Sequence, residues 1–358
     1  MNILQSKLYQ EDIEKSLSSV LKIEELKNSR ILITGATGLV CSAVVDLLIS
    51  ADLDISIYAA GRSEKKIVER FAGKVVFLPY DATKPITFDV DVDYIIHGAS
   101  NASPNLYVNE PVETMQANIN GMQNLLEFAH KKSVKKVIYV SSSEVYGRKE
   151  SIEPFKEDQY GFIDLLNPRS SYSIAKRAAE TMCVSYHAEY GVHFNVVRLG
   201  HIYGPSASRS DRRVSSDFAY KAAKGENLVL KSEGKQIRSY CYSLDCASAI
   251  LSVLTSGADG EAYNISNKDS IINIRKMAEY LAQAGGVELI FDIPSKTEAA
   301  AFNPMDNSSL DSTKLEGLGW KGIFSAKDGL EHTVRILKEV PPPLSFISAN
   351  VSNLPIFA

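Results

Sequence analysis

A short apolar strand that runs into a glycine-rich turn and then a helix constrains this chain more than any other feature. The strand is predicted over residues 30–34, and residues 34–41 read Thr-Gly-Ala-Thr-Gly-Leu-Val-Cys before an apolar helix predicted over 42–50. Glycines let backbone N–H groups approach a pyrophosphate, and the positive end of the helix dipole favours that anion. This context favours a dinucleotide-binding turn over an ordinary tight turn.

The predicted dinucleotide contacts lie in this turn and in the segments that follow the next three strands. The predicted cofactor-binding residues are Gly35, Thr37, Gly38, Leu39, Val40, Arg62, Asp81, Ala82, Gly98, Ala99 and Ser100, together with Tyr172 and Lys176. Arg62 follows the second strand, where an acidic residue for the ribose hydroxyls of NAD is expected, so NAD and NADP both remain open. Cys41 replaces the expected third small residue of the turn, which predicts slight spreading of helix and strand.

Strands and helices alternate over the first 200 residues. Strands are predicted over 30–34, 55–60, 75–79, 94–97, 137–141 and 194–199, and long helices over 112–131 and 172–190. This alternation predicts an α/β fold, a Rossmann doubly wound parallel sheet with helices on both faces. After residue 205 the chain becomes polar and basic, which predicts a smaller C-terminal α/β substrate-binding domain.

The predicted domain organisation has four parts. They are a helical N-terminal extension over 1–27, with a helix over 8–27; a dinucleotide-binding domain over 28–205, to which 240–257 returns; a substrate-binding domain over 206–239 and 258–340; and a tail over 341–358.

The composition excludes several broad classes of function. The formal net charge of −4 gives no basic field for nucleic acid. The longest apolar runs are far shorter than the ~20 residues that a membrane span needs. Residues 1–27 lack the apolar core of a signal peptide, so we expect a cytoplasmic protein. The four cysteines show no metal-binding spacing, and we predict no metal site.

A tyrosine and a lysine four residues apart give the strongest indication of chemistry. Tyr172 and Lys176 share one face of the predicted 172–190 helix. A nearby cation favours the phenolate and lowers a tyrosine pKa, so this pair predicts a base that removes an alcohol proton while hydride leaves the same carbon. Ser142, about 30 residues earlier, is predicted to hold that alcohol by a hydrogen bond.

Together these motifs resemble those of the extended short-chain dehydrogenase/reductase family, which contains nucleotide-sugar epimerases, dehydratases and decarboxylases. The resemblance covers roughly residues 29–335. The motifs that carry it are the glycine turn, 97–100 (His-Gly-Ala-Ser), 141–147 (Ser-Ser-Ser-Glu-Val-Tyr-Gly), Tyr172 with Lys176, 198–205 (Arg-Leu-Gly-His-Ile-Tyr-Gly-Pro), 234–238 (Gly-Lys-Gln-Ile-Arg) and 315–320 (Leu-Glu-Gly-Leu-Gly-Trp).

The resemblance implies oxidation of a nucleotide sugar at C4 by a bound nicotinamide cofactor. It makes Tyr172 the base, Lys176 the group that lowers its pKa and binds the nicotinamide ribose, and Ser142 the hydroxyl of the triad. A 4,6-dehydratase has an Asp-Glu pair after that hydroxyl, but this chain has Ser143 and Glu144, as in UDP-glucuronic acid decarboxylases. Decarboxylation is therefore predicted, and a 4-epimerase or a 4,6-dehydratase variant remains the alternative.

The resemblance also predicts the substrate, a UDP-linked nucleotide sugar, and the residues that bind it. The predicted substrate-binding residues are Asn101, Ser103, His201, Arg213 and Arg238. His201 replaces the asparagine usual in this family, and we expect it to donate a hydrogen bond and to add charge near pH 6–7. Relatives pair through the helices that correspond to 112–131 and 172–190, which predicts a homodimer. A non-catalytic dinucleotide-binding protein is the alternative from another class, and it predicts an eroded triad.

Overall fold

A seven-stranded parallel sheet forms the centre of the molecule, in a computed structural model that describes residues 3–100, 102, 104–293 and 306–340. In spatial order its strands are β3 (Val76–Pro79), β2 (Ser56–Gly61), β1 (Arg30–Thr34), β4 (Tyr94–His97), β5 (Lys136–Ser142), β6 (Phe194–Leu199) and β10 (Ala262–Ile265). Every neighbouring pair runs parallel. The predicted Rossmann fold is confirmed.

Helices cover both faces of this sheet, and two small sheets lie beyond it. The helices are α1 (Lys7–Leu17), α2 (Leu39–Ser50), α3 (Glu64–Phe71), α4 (Pro104–Asn109), α5 (Pro111–Lys131), α6 (Ser170–Tyr190), α7 (Val214–Ala223), α8 (Ser243–Ser256), α9 (Ile274–Gly285), α10 (Thr313–Glu316) and α11 (Ala326–Glu339). The small sheets join β7 (His201–Tyr203), β9 (Ile237–Tyr242) and β11 (Ile271–Asn273), and β8 (Leu228–Leu230) with β12 (Leu289–Phe291).

The strand order reverses between β1 and β4, which opens a crevice at the carboxyl ends of the strands. Thr34, the last residue of β1, pairs with His97 of β4 on one side and with Ala60 of β2 on the other. In open α/β sheets ligands bind at this switch point. The glycine turn after β1 and the segment after β4 therefore face each other across the crevice.

The N-terminal extension differs from the single helix predicted over 8–27. Helix α1 ends at Leu17, and a short 3-10 turn follows over Ile23–Leu26. Lys22 adopts a left-handed conformation (φ 48°) between them, which an α-helix cannot contain. Helix α1 is firmly attached, because the buried Asp12 accepts a hydrogen bond of 3.0 Å from Tyr242 Oη.

Within residues 258–340, which were predicted to belong to the substrate-binding domain, the chain returns to the large sheet. Strand β10 pairs with β6 and adds the seventh strand. It is four residues long and contains Asn264, so it lacks the continuous apolar run by which the other buried strands are recognised. Among the described residues, no helix is both long and apolar enough to cross a membrane.

Candidate active site

A cavity of about 850 Å³ occupies the crevice at the carboxyl ends of β1, β4, β5 and β6. It extends from the glycine turn to the small sheet that contains β7 and β9. The predicted site residues that line it are Gly35, Gly38, Leu39, Val40, Gly98, Ser100, Ser142, Ser143, Glu144, Tyr172, Lys176, His201, Arg213 and Arg238. The fold thus brings most of the predicted dinucleotide, catalytic and substrate residues into one space.

The first glycine of the turn is packed so tightly that no side chain fits at its position. Gly35 has φ +68°, and a Cβ on it would lie 2.9 Å from the backbone of Gly98 and Ala99. Gly38 is the N-cap of α2, and its side-chain-free backbone leaves the first N–H groups of the helix open toward the cavity. These features fit a dinucleotide pyrophosphate, which needs close backbone approach and a helix N-terminus.

Cys41 packs against Gly98 at the start of α2, and the slight spreading of helix and strand stays a prediction. A Cβ on Gly98 would collide with Cys41 Sγ, so the missing side chain at 98 provides the room that the thiol needs. Burial raises the pKa of Cys41 to about 12, which leaves the thiol neutral and unreactive. The third position of the turn is therefore a packing position in this chain.

The residues predicted at the adenosine end lie outside this cavity. Arg62 is exposed after β2, and Asp81 follows β3. Asp81 Oδ1 accepts hydrogen bonds from the backbone and hydroxyl of Thr83, which lower the pKa of Asp81, and Arg62 contributes weakly. Ala82 packs against Gly121 of α5. Their roles, and those of Thr37 and Ala99, stay predictions; Asn101 and Ser103 lie outside the described residues.

Ser142, the serine predicted to be catalytic, ends β5 and caps the short 3-10 turn Ser143–Tyr146. Ser142 Oγ accepts a hydrogen bond of 3.2 Å from the backbone N–H of Glu144 and is hydrogen-bonded to the phenol of Tyr172. Glu144 in turn accepts a hydrogen bond of 3.1 Å from Ser173 Oγ and lies 3.6 Å from Arg169 Nη2. The predicted serine, tyrosine and glutamate therefore form one connected group.

The lysine of the pair is held behind the tyrosine by a backbone carbonyl. Lys176 Nζ donates a hydrogen bond of 2.8 Å to Val140 O and lies 5.7 Å from the centre of the Tyr172 ring. Burial lowers the pKa of Lys176 to about 7, and the charge of Glu180 opposes that shift.

The tyrosine itself departs from the predicted electrostatics. Burial raises the pKa of Tyr172 to about 12, while the hydrogen bond with Ser142 lowers it. The expectation that Lys176 brings this pKa toward neutrality is therefore not met in the structure. The cause is the burial of this face of α6, because a buried site disfavours the charged forms of both Tyr172 and Lys176.

A buried ion pair on α6 and β6 fixes the position of Lys176. Glu180, one helical turn further along α6, binds Arg198 of β6 with an Nη2–Oε2 distance of 2.7 Å. Ser141 Oγ donates a hydrogen bond of 2.5 Å to the same carboxylate, and Tyr146 Oη accepts one of 3.0 Å from Arg198. This network fixes α6 against β5 and β6 and so fixes the position of the lysine.

Two arginines and a histidine form the wall opposite the triad. Arg213 binds the carboxylate of Asp211 through Nε and Nη2, which orients the guanidinium. Arg238 of β9 is almost completely buried, and burial lowers its pKa. Both lie close enough to His201 to act on its charge.

His201 is neutral, contrary to the expectation of charge near pH 6–7. Burial lowers its pKa to about 3, with further contributions from Arg238 and Arg213. The ring lies 5.8 Å from that of Tyr240, its register partner on β9, and its buried Nδ1 has no hydrogen-bond partner among the described residues. A neutral imidazole still offers one donor and one acceptor to a ligand.

The cavity is also lined by residues that were not predicted from the sequence, and four of them carry large polar side chains. They are Tyr107, Asn167, Arg169 and Tyr240. Tyr240 could have been found, because it lies two residues from Arg238 on one strand and so faces the same side. Arg169 directly precedes α6, whose first turn carries Tyr172. No pattern in the sequence indicates Tyr107, which reaches the site through the packing of α4 on α6.

Comparisons with known proteins agree with this geometry. The model of the "NAD dependent epimerase/dehydratase family" matches residues 31–266. UDP-glucuronic acid decarboxylase 1 of Xenopus tropicalis is 31% identical over 324 residues, which cover 88% of this chain and 74% of that protein. UDP-glucuronic acid decarboxylase 6 of Arabidopsis thaliana is 32% identical over 88% of this chain and 91% of its own.

Among solved structures, UDP-glucose 4-epimerase of Thermotoga maritima with UDP-glucose superposes with a TM-score of 0.75. It is 26% identical in sequence, and the match covers 87% of this chain and 99% of that one. The similarity thus extends over nearly all of the described part of the chain, beyond the dinucleotide-binding half.

Proposed function

This chain belongs to the NAD dependent epimerase/dehydratase family, and we propose that it oxidises a nucleotide sugar at C4 and then decarboxylates it, with a UDP-glucuronate-type substrate. One observation carries the proposal: Tyr172, Ser142 and Glu144 share a cavity with Arg213 and Arg238. The cavity therefore combines groups for alcohol oxidation with cations for an acidic sugar nucleotide.

The proposed catalytic residues are Ser142, Ser143, Glu144, Tyr172 and Lys176. When bound at the glycine turn, NAD supplies the hydride acceptor for C4 oxidation. Tyr172 takes the proton of the C4 hydroxyl as the C4 hydride leaves, and Ser142 holds that hydroxyl in line. Lys176 is positioned beneath the phenol by Val140 O and by the Glu180–Arg198 pair.

The raised pKa of Tyr172 suits the decarboxylation that follows C4 oxidation. The C4 ketone makes the sugar a β-keto acid, so the bond between C5 and the carboxylate breaks and its electron pair flows into the C4 carbonyl as CO2 leaves. Tyr172 has taken the C4 hydroxyl proton in the first step and is therefore a neutral phenol, the form that burial favours. Tyr172 then donates a hydrogen bond to the C4 oxygen and stabilises the developing enolate.

We assign the substrate carboxylate to Arg238 and the diphosphate to Arg213. Arg238 lies within electrostatic range of Glu144, so it faces the reacting end of the sugar. The planar fork of its guanidinium matches the geometry of a carboxylate. His201, neutral between the two arginines, contributes a hydrogen bond to the sugar without adding charge.

Epimerisation is the second candidate, and the likeness to a UDP-glucose 4-epimerase favours it. A 4,6-dehydratase is disfavoured because Ser143 offers no carboxylic acid to the leaving hydroxyl. Purified protein with NAD is given UDP-glucuronate or UDP-glucose, and products are identified by NMR. The proposal expects a UDP-pentose or its 4-keto form from UDP-glucuronate; a C4 epimer from either sugar would support the alternative.

We further propose a homodimer formed through α5 and α6. These two helices pack side by side, and both expose apolar side chains, including Val112 and Met115 of α5 and Val184 of α6. Contiguous exposed apolar surface marks an association site. Light scattering should give twice the chain mass, and Val112→Asp with Val184→Asp should give the mass of one chain.

A further inference from the structure

Three side chains that ligate transition metals meet at the end of the molecule opposite the cavity. His187 lies in the last turn of α6, His193 directly precedes β6, and Asp259 lies in the loop before β10. One ligand atom of each lies within 4.8 Å of the others. We propose that these residues bind a divalent transition-metal ion of the Zn²⁺ type, at a site that joins α6 to the edge of the sheet.

The hydrogen bonds around the cluster prepare it for a cation. His187 Nδ1 lies 3.1 Å from Val192 O, and because a carbonyl only accepts, Nδ1 carries the proton and Nε2 keeps its lone pair. Metal-binding histidines characteristically donate their second nitrogen to a carbonyl in this way. Nε2 faces Gly260, the neighbour of Asp259, where a Cβ would lie 3.9 Å away.

The carboxylate is oriented toward both imidazoles. Asp259 Oδ1 accepts a hydrogen bond of 3.0 Å from the backbone N–H of Phe194. Its Oδ2 lies 2.5 Å from His193 Nδ1 and 3.8 Å from His187 Nδ1. One oxygen is thus used to fix the side chain, and the other points between the two rings, where an ion would replace the proton that His193 now shares with it.

The position in the fold favours a cation, and the ligand atoms determine which class of cation can bind. Helix α6 is 21 residues long, and the partial negative charge at its carboxyl end lies beside His187. Two imidazoles and one carboxylate suit Zn²⁺ and similar ions, whereas Mg²⁺ and Ca²⁺ prefer oxygen ligands throughout. The side chains are 39%, 57% and 33% exposed, so water can complete the coordination sphere.

The site is structural rather than catalytic, because it lies at the amino end of β6 and the cavity lies at the carboxyl end. An ion there would tie the last turn of α6 to the sheet that α6 covers. The sequence gives no warning of it, since five residues separate the histidines and Asp259 follows 66 residues after His193. Only the return of the chain to the large sheet through β10 brings the aspartate to them.

Thermal denaturation of untagged, full-length protein tests the site after dialysis against a chelator. Zn²⁺ at tens of micromolar should raise the melting temperature by about 2 °C or more, by mass action on the folded state, and Mg²⁺ should not. One equivalent of Co²⁺ should give visible absorption bands of an imidazole-ligated ion. His193→Gln should abolish both signals, while His130→Gln, a change of an exposed histidine on α5, should keep them.

Two results would overturn the proposal. One is a wild-type protein with neither a Zn²⁺ shift nor Co²⁺ bands. The other is a shift that survives both His193→Gln and Asp259→Asn, which would place the ion elsewhere. The Co²⁺ titration of the wild type decides the question even if a variant folds poorly. Its outcome is independent of the proposed enzymatic activity.

Discussion

The ring of Tyr107 lies flat against the ring of Tyr172, with centroids 4.4 Å apart and planes inclined by 10°. Tyr107 is itself fixed, because its Oη donates a hydrogen bond of 3.1 Å to Ala102 O. Its backbone carbonyl accepts one of 3.3 Å from Ser171, the neighbour of Tyr172. Helix α4 thus packs against one face of the Tyr172 ring, while the phenol oxygen of Tyr172 is hydrogen-bonded to Ser142.

Removing this stacking should slow the reaction without stopping it. Tyr107→Leu should lower kcat about tenfold or less, since an aromatic pair contributes about 0.5–1.5 kcal/mol beyond area burial. Tyr107→Phe keeps the ring and should retain most of the wild-type kcat. Steady-state kinetics of both variants check this, and a Leu variant with wild-type kcat would show that Tyr107 does not position the base.

Local sequence patterns predicted six of the seven strands of the large sheet and the tight glycine turn after β1. The glycine turn, Ser142 and the Tyr172–Lys176 pair depend on neighbours within a few residues, so their geometry follows from spacing alone. Strand β10 was missed because pairing with β6 is a long-range contact, and the predicted helix over 8–27 failed at Lys22, whose left-handed conformation is not encoded by periodicity.

The site departs from prediction where burial decides the chemistry. The identity of Tyr172, Lys176 and His201 is readable from the sequence, but the depth at which each ionisable group lies is not. Desolvation is the largest cause of the pKa shift of all three groups. It raises the pKa of the phenol and lowers the pKa of the lysine and of the histidine. Sequence spacing predicted that Tyr172 lies near Lys176 and Ser142, but it missed the sign of the tyrosine pKa shift.

The serine should control the pH dependence of turnover. The hydrogen bond with Ser142 lowers the pKa of Tyr172, because it stabilises the phenolate. Ser142→Ala should therefore raise that pKa and move the rising limb of the kcat–pH profile to higher pH, with a loss of about 100-fold or more at neutrality. Ser215→Ala removes a hydroxyl from the same cavity outside the proposed catalytic residues and is the matched control. An unshifted limb in Ser142→Ala would refute the coupling.

The buried His97 should make the protein sensitive to acid. Burial lowers its pKa from 6.5 to about 3, with a smaller contribution from Lys176. Between those values the unfolded chain binds a proton that the folded chain does not, so the free energy of unfolding falls as the pH falls.

His97→Phe should reduce that pH dependence by as much as about 1.4 kcal/mol per pH unit between pH 6 and 4.5, because it keeps a ring against Tyr139 and removes the titration. Urea denaturation at several pH values measures the slope, with the exposed His130→Gln as the control. An identical slope in the wild type and His97→Phe would contradict the assignment.

Arg238 should distinguish acidic from neutral substrates. Arg238→Lys keeps the charge but loses the planar fork, so the Kd for UDP-glucuronate should rise about tenfold while the Kd for UDP stays unchanged. Calorimetric titration of both ligands tests this. Equal weakening of both would move Arg238 from the carboxylate to the diphosphate.

Release of CO2 from UDP-glucuronate, compared between the wild type and Tyr172→Phe, tests the central claim most directly. Tyr107→Phe removes a hydroxyl from the stacked neighbour and serves as the matched control. We expect stoichiometric CO2 from the wild type and from Tyr107→Phe, and a loss of about 100-fold or more in Tyr172→Phe with NAD still bound. No CO2 from the wild type, or undiminished release from Tyr172→Phe, would contradict the proposed function.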